Sequence, residues 1–233
     1  MKRKVLSALA VLAMSTFVFT ACNNDDSTPA TTTAPATTPE ATTQAEEVQT
    51  TTAATQTMSS IERGTWENDV WSSDYLGISF TLPTGWIVAT DAELADNLDL
   101  GMDFFDLDIN LSDFHLLPDM GAYNPETGDN VQVMIERLLP EAENFTAAEY
   151  AQMTAIGIQM FGGEVSFDGP SVMLGGYEWY TIDTLIDFGM LSAAGRQLIN
   201  IQDGFARLII ITHHITDEDS VSSIMDEILS HFN

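Results

Sequence analysis

Lysine is almost missing from this chain, and cysteine occurs once. Over 233 residues there are seven Lys plus Arg against 35 Asp plus Glu, a formal net charge of −28. Lys2, Arg3 and Lys4 supply three of the seven cations, so only Arg63, Arg137, Arg196 and Arg207 lie beyond position 4. Nucleic acid is excluded as a partner, because a phosphate backbone is gripped by clustered Lys and Arg. With no lysine after position 4 there is no P-loop lysine, no Schiff-base lysine and no Ser-x-x-Lys nucleophile pair. A single Cys rules out an internal disulfide and any multi-cysteine zinc or iron–sulfur site. Neither His-Glu-x-x-His nor Gly-x-Ser-x-Gly occurs, and no cofactor motif is present.

What is present begins with a targeting segment. Lys2, Arg3 and Lys4 precede the apolar, small-residue run Val5 to Ala21, which ends Phe19-Thr20-Ala21-Cys22. Basic, apolar and small-residue regions in that order mark a secretory signal. A membrane-spanning helix is disfavoured, since the run is at the short limit for spanning and is followed by acidic, Thr-rich chain. The junction resembles a bacterial lipobox, with Phe19 in place of the usual Leu or Val. That resemblance implies lipid attachment at Cys22, which would become the mature N-terminus. Its neighbours Asn23, Asn24, Asp25 and Asp26 are polar, unlike those of a buried core Cys. Cleavage there leaves four arginines against the same 35 acids, a charge of −31. Acyl chains anchor through apolar burial at about 0.8 kcal/mol per CH₂, so no basic membrane-binding patch is needed.

Residues 23–60 are Thr-dominated, punctuated by Pro29, Pro35 and Pro39, with Val48 and Met58 as the only large apolar residues. Such composition does not bury enough surface to offset chain entropy, so a disordered tether is expected. From 61 to 233 all four Trp and all five Tyr appear, which suits one globular domain. Thr146 with Glu149 forms a capping box that predicts a helix over Ala147 to Phe161, closed by Gly162-Gly163. Val221, Ile224, Met225, Ile228 and Leu229 make one apolar stripe and predict a helix from Glu218 to Phe232. Thr90 and Glu93 predict a short helix to Leu98. Phe105, Leu107, Ile109 and Leu111 alternate with polar residues, as in a strand with its acids outward. Further strands are expected at Gly77 to Leu82, Val131 to Arg137, Val165 to Phe167 and Tyr177 to Asp187. Gln197 to Gln202 and Phe205 to Thr212 flank Asp203-Gly204, a strong hairpin signal. Leu208 to Ile211 is apolar without alternation, so that strand needs cover on both faces. The expected class is α/β (α+β), a mainly antiparallel sheet with helices on both faces.

Three stretches carry a family resemblance: Tyr75 to Trp86 (Tyr-Leu-Gly-Ile-Ser-Phe-Thr-Leu-Pro-Thr-Gly-Trp), Leu174 to Tyr180 (Leu-Gly-Gly-Tyr-Glu-Trp-Tyr), and the hairpin from Arg196 to Ile211. Together with the order of elements, they resemble the PsbP-like group of secreted bacterial lipoproteins across nearly all of residues 64 to 233. The resemblance implies an α/β/α sandwich, the fold shared by the photosystem subunit PsbP and a yeast import factor that binds the GTPase Ran. Its motifs are packing motifs and bring no catalytic residue, and fold analogy does not carry function.

Candidate chemistry is sparse. Asp91 to Asp119 holds nine carboxylates and no cation. Asp106-x-Asp108-x-Asn110 opens like a calcium loop, but Leu111 and Leu117 stand where an EF-hand needs Gly and Glu. His213 and His214 are adjacent, so on a strand they point to opposite faces and do not chelate one ion together. His115 and His231 belong to no motif. Asn110-Leu111-Ser112 and Asn144-Phe145-Thr146 match the glycosylation sequon incidentally. Trp66, Trp71, Trp86 and Trp179 are expected in the core. Arg196 and Arg207 are candidate anion ligands, with pairing to internal carboxylates the favoured expectation.

The tether, the missing catalytic motifs and the resemblance together lead to a non-catalytic, lipid-anchored accessory or interaction module. It would sit on the extracellular face of the bacterial cell membrane and meet a protein partner of the envelope. Two alternatives stand beside it. One is a glycan hydrolase using two carboxylates, which a concave pocket holding an acid of raised pKa and an exposed Trp would favour. The other is an extracellular solute or divalent-cation binding protein.

Overall fold

The computed structural model describes residues 58–96, 116–160, 162–169, 171–187, 192–215 and 221–233. The signal segment with Cys22, most of the tether, the alternating stretch Phe105 to Leu111, the Asp106 to Asn110 triplet and His115 lie outside the described residues.

Two turns with left-handed backbone set the hairpins. Asn68 and Asp69 both have positive φ, 49° and 64°. This geometry folds β1 (Thr65–Glu67) back on β2 (Val70–Ser73). Asn and Asp tolerate that region better than other side-chain-bearing residues. With β3 (Ile78–Thr81) they form a three-stranded antiparallel sheet. Asp203 (φ 52°) and Gly204 (φ 78°) turn the larger hairpin as the sequence predicts. Its strands β10 (Ser192–Gln202) and β11 (Phe205–His214) run longer than expected. The second sheet has eight strands. In order, these are β4 (Ile87–Val88), β5 (Leu116–Tyr123), β6 (Asn130–Arg137), β11, β10, β9 (Tyr177–Asp187) and β7 (Glu164–Ser166). The short β8 (Val172–Leu174) also pairs with β9. All the strand pairings are antiparallel.

β11 shows why an apolar run without alternation becomes a central strand. Phe205, Ile209 and Ile211 join a core cluster with Trp71, Phe80, Trp179, Met225, Ile228 and Phe232. Ala206, Leu208 and Ile210 face the other way and join Met134, Tyr150, Ala151 and Ile182. Each fully buried aliphatic side chain contributes about 1.5–3 kcal/mol of hydrophobic stabilisation. The fold is therefore a sheet-dominated α+β fold.

Helix α1 (Ala147–Met160) starts where the capping box places it. The Thr146 N–H donates to Glu149 Oε2 (2.8 Å), and the Glu149 N–H donates to Thr146 Oγ1 (3.2 Å). Its end is closed by the N–H groups of Gly162 and Gly163, which donate to the carbonyls of Gln159 and Ile158. The second capping box also forms, with the Thr90 N–H donating to Glu93 Oε2 (2.7 Å), and residues 91–96 are helical. Helix α2 spans Val221–Leu229 and stops short of the predicted Phe232, while the predicted start at Glu218 is outside the described residues. Phe232 leaves the helix to bridge to Phe80, their rings 4.8 Å apart, and Asn233 exchanges backbone hydrogen bonds with Ser79. The stripe misleads at this end because Phe232 is buried in either conformation. Strand β5 is an addition to the strands expected from the sequence. It contains Pro118 and changes register between Pro118 and Met120, which leaves Asp119 in a bulge.

Candidate functional site

The three stretches that carry the resemblance converge on Arg207. On β11, Arg207 shares a face with Phe205, Ile209 and Ile211, and its cross-strand neighbours are Asn200 on β10 and Ile135 on β6. It is only 3% exposed. The guanidinium carbon lies 4.6 Å from the centre of the Tyr75 ring and 5.1 Å from that of Tyr177. Tyr75 sits in the turn after β2, where the Gly77 N–H donates to the Ser73 carbonyl (2.8 Å). Tyr177 follows the Gly175-Gly176 turn, whose two residues have positive φ. These turns touch: a Cβ on Gly175 would stand 2.5 Å from the Gly77 carbonyl oxygen. The glycines therefore let both tyrosines close on one cation, an arrangement stabilised by cation–π attraction.

The expectation of internal pairing fails for Arg207. Among the described residues it has no ion pair, and its Nε and Nη1 find no acceptor. Tyr75 Oη and Asn200 Oδ1 are also buried without a partner among those residues, although Asn200 Nδ2 donates to the Glu178 carbonyl (3.0 Å). Strand alternation sets Arg207 on an apolar face, which Arg196, opposite Ile211, also shares. That same alternation is the signal available in the sequence, since a cation among Phe205, Ile209 and Ile211 must be buried.

Arg196 behaves as expected. Its Nε and Nη2 donate to Asp183 Oδ1 (2.7 Å) and Oδ2 (3.2 Å), and its Nη1 to Asp226 on α2. The Asp183 hydrogen bond leads in raising the Arg196 pKa, opposed by burial. Asp183 also lines a cleft of about 410 Å³ with Glu164, Ser166, Leu185, Ile215 and Val221.

A smaller cavity of about 230 Å³ lies beside the bulge of β5, bounded by Arg63, Gly64, Trp66, Asp91, Leu94 and Asp119 among others. Asp119 Oδ1 accepts from the Gly64 N–H at 2.7 Å. Burial pushes the Asp119 carboxyl above the usual carboxylate range, against the pull of that N–H and of the Arg63 charge. Arg63 pairs with Asp91 at 2.9 Å and holds the Asp91 pKa down by hydrogen bond and charge. In the sequence Asp119 stands out only as the end of an acidic run. Its burial follows from the bulge, which alternation alone does not reveal.

His213 and His214 part as predicted. His213 is buried, with Nδ1 2.6 Å from Asp129 Oδ1, and Asp129 Oδ2 accepts from the Thr127 hydroxyl (2.8 Å). Burial lowers the His214 pKa, and the His213 charge adds to that. His231 packs against Phe80, ring centres 6.2 Å apart. Trp71 and Trp179 are fully buried, and Trp66 and Trp86 pack against the same core as partly buried residues. Among the described residues no group of three or more His, Cys, Asp or Glu is placed to hold a metal ion, and no helix is long and apolar enough to cross a membrane.

No family model and no curated protein matches the chain. Solved structures similar to it include cyanobacterial PsbP from Synechocystis sp. PCC 6803, at 15% identity over 70% of this chain and 90% of that one, with a TM-score of 0.42. A structure from Bacteroides thetaiotaomicron VPI-5482 is similar at 10% identity over 67% of this chain and 44% of that one, TM-score 0.35. LpqN of Mycobacterium tuberculosis, involved in cell envelope biogenesis, is similar at 12% identity over 64% and 76%, TM-score 0.37. PsbP thus stands among the structures similar to this chain.

Proposed function

We propose that this protein is a lipid-anchored, non-catalytic accessory module of the bacterial cell envelope. In this reading Cys22 carries the lipid, residues 23–60 act as a tether, and residues 61–233 form the displayed domain, an α/β/α sandwich with α1 and α2 in its outer layers. The observation that carries it is the sole cysteine at the end of a basic-then-apolar segment, followed at once by polar, Thr-rich chain. The domain would then meet an envelope protein on the extracellular face, away from the anionic lipid surface that its own charge repels. Metabolic labelling with an alkyne fatty acid tests the anchor. The wild-type chain is expected to take up label and fractionate with membranes, and Cys22→Ala to do neither. Equal labelling of both forms would remove the proposal. Crosslinking in the native envelope, followed by recovery of the tagged chain, then tests for one stoichiometric partner.

A hydrolase reading keeps one specific observation, the cavity that holds Asp119 with its raised pKa beside Asp91 and the half-buried Trp66. Turnover of envelope glycans that is abolished by Asp119→Asn would establish it in place of the first.

A further inference from the structure

We propose that Arg207 anchors a binding site for a small organic acid that carries a hydroxyl or N–H donor next to its carboxylate. Burial is the first argument. A guanidinium 3% exposed, without a counter-ion or an acceptor for Nε and Nη1 among the described residues, is costly to hold in a core. The chain has 35 acids with which to neutralise it, and Arg196, one strand away on β10, holds two of them. Among the described residues the fold gives Arg207 no ion pair while its neighbour is clamped.

The second argument is the set of groups around the guanidinium. Arg207 offers N–H donors, and the Tyr75 hydroxyl adds a donor that has no partner among the described residues. Asn200, its cross-strand neighbour, offers Oδ1 as an acceptor without a donor. Two kinds of donor facing one acceptor match an anion that bears its own hydrogen-bond donor, and such a ligand would satisfy all of them at once. The Tyr75 and Tyr177 rings, both half-buried, lie against the guanidinium, so a ligand would reach it by displacing these rings through side-chain rotation. The site is independent of the lipid anchor and stands or falls separately from it.

Calorimetry and thermal unfolding of the full-length protein in detergent test it. The probes are L-lactate for a free hydroxy acid, N-acetyl-L-alanine for the end of a peptide, and acetate for a carboxylate alone, with chloride at matched ionic strength as the blank. Lactate or N-acetyl-alanine is expected to bind saturably and to raise Tm by about 3 °C at tenfold excess over Kd. Acetate, which leaves Asn200 Oδ1 unpaired, is expected to bind at least about fivefold more weakly. Arg207→Met removes the buried charge, so it is expected to abolish binding while keeping or raising the Tm of the ligand-free protein. Tyr75→Phe keeps the ring and loses the hydroxyl, and is expected to weaken binding several-fold without unfolding the chain. An unchanged wild type with every probe would overturn the proposal, as would equal binding by Arg207→Met. A fall in Tm for Arg207→Met with no anion response in the wild type would assign the cation to packing alone.

Discussion

Glu136 lies on β6 facing α1, and it is buried there against Tyr150. Burial pushes its pKa up to about 7, and the hydrogen bond from the Tyr150 hydroxyl pulls the other way without restoring it. The sign of the consequence follows from linkage. A carboxyl whose pKa is higher folded than unfolded adds stability below its unfolded value near 4.5, and that stability is lost as pH rises through 7. The full loss is on the order of 3 kcal/mol. Glu136→Gln is therefore expected to be more stable than wild type at pH 8 and to flatten the fall in stability between pH 5 and pH 8, as read from urea midpoints at each pH. An unchanged slope would show that the carboxylate is solvated. Glu93 and Glu149, whose pKa values are lowered first by the backbone N–H of their capping threonines, act in a different window. Their contribution is present above pH 4 to 5 and lost below it. The burial of Glu136 is available in the sequence, because Gln132, Met134 and Glu136 alternate onto one face and Met134 marks that face as covered. Its partner Tyr150 is not, since the contact joins a strand to a helix after an intervening loop.

Among the elements, the turns carry the most information. The Gly175-Gly176 turn is expected from its glycines, but its contact with the Gly77 turn is a tertiary fact. Both Gly175 and Gly176 have positive φ, so alanine at either incurs backbone strain of about 1 kcal/mol. Only Gly175 also approaches a backbone oxygen, which would stand 2.5 Å from an alanine Cβ there, whereas a Cβ at Gly176 has nothing within 4 Å. Gly175→Ala is expected to cost about 3 kcal/mol and Gly176→Ala about 1 kcal/mol in chemical denaturation. Equal costs would mean that the two turns do not need to touch. The capping boxes and the Asp203-Gly204 hairpin are legible because their bonds join residues within four positions. The end of α2 and the whole of β5 are not. In the first, Phe232 meets the demand for burial through Phe80, far away in sequence, and in the second a proline and a bulge hide a strand that neighbours complete.

For the molecule as a whole, acidity is the dominant long-range force. Residues 61–233 carry 30 of the 35 acids with four arginines. Two of those, Arg63 and Arg196, are committed to local ion pairs. Screening of the remaining repulsion should outweigh what salt takes from these pairs, because the excess of like charge is much larger. Tm is expected to rise with NaCl and to rise equally with CaCl₂ at the same ionic strength. A distinctly larger rise with calcium would reveal a specific ion site. The sequence alone determined the properties that depend on composition or on neighbours along the chain: the expectation that nucleic acid is not a partner, the expectation of a lipid anchor at Cys22, the starts of the two capped helices and the central apolar strand. Tertiary structure decided the pairing of charges. Arg196 and Arg207 are alike by sequence, both on strands in an acidic chain, yet one meets Asp183 and Asp226 and the other meets two tyrosine rings. Which partners a side chain finds depends on the register of strands and the approach of distant turns, and neither is written in local sequence.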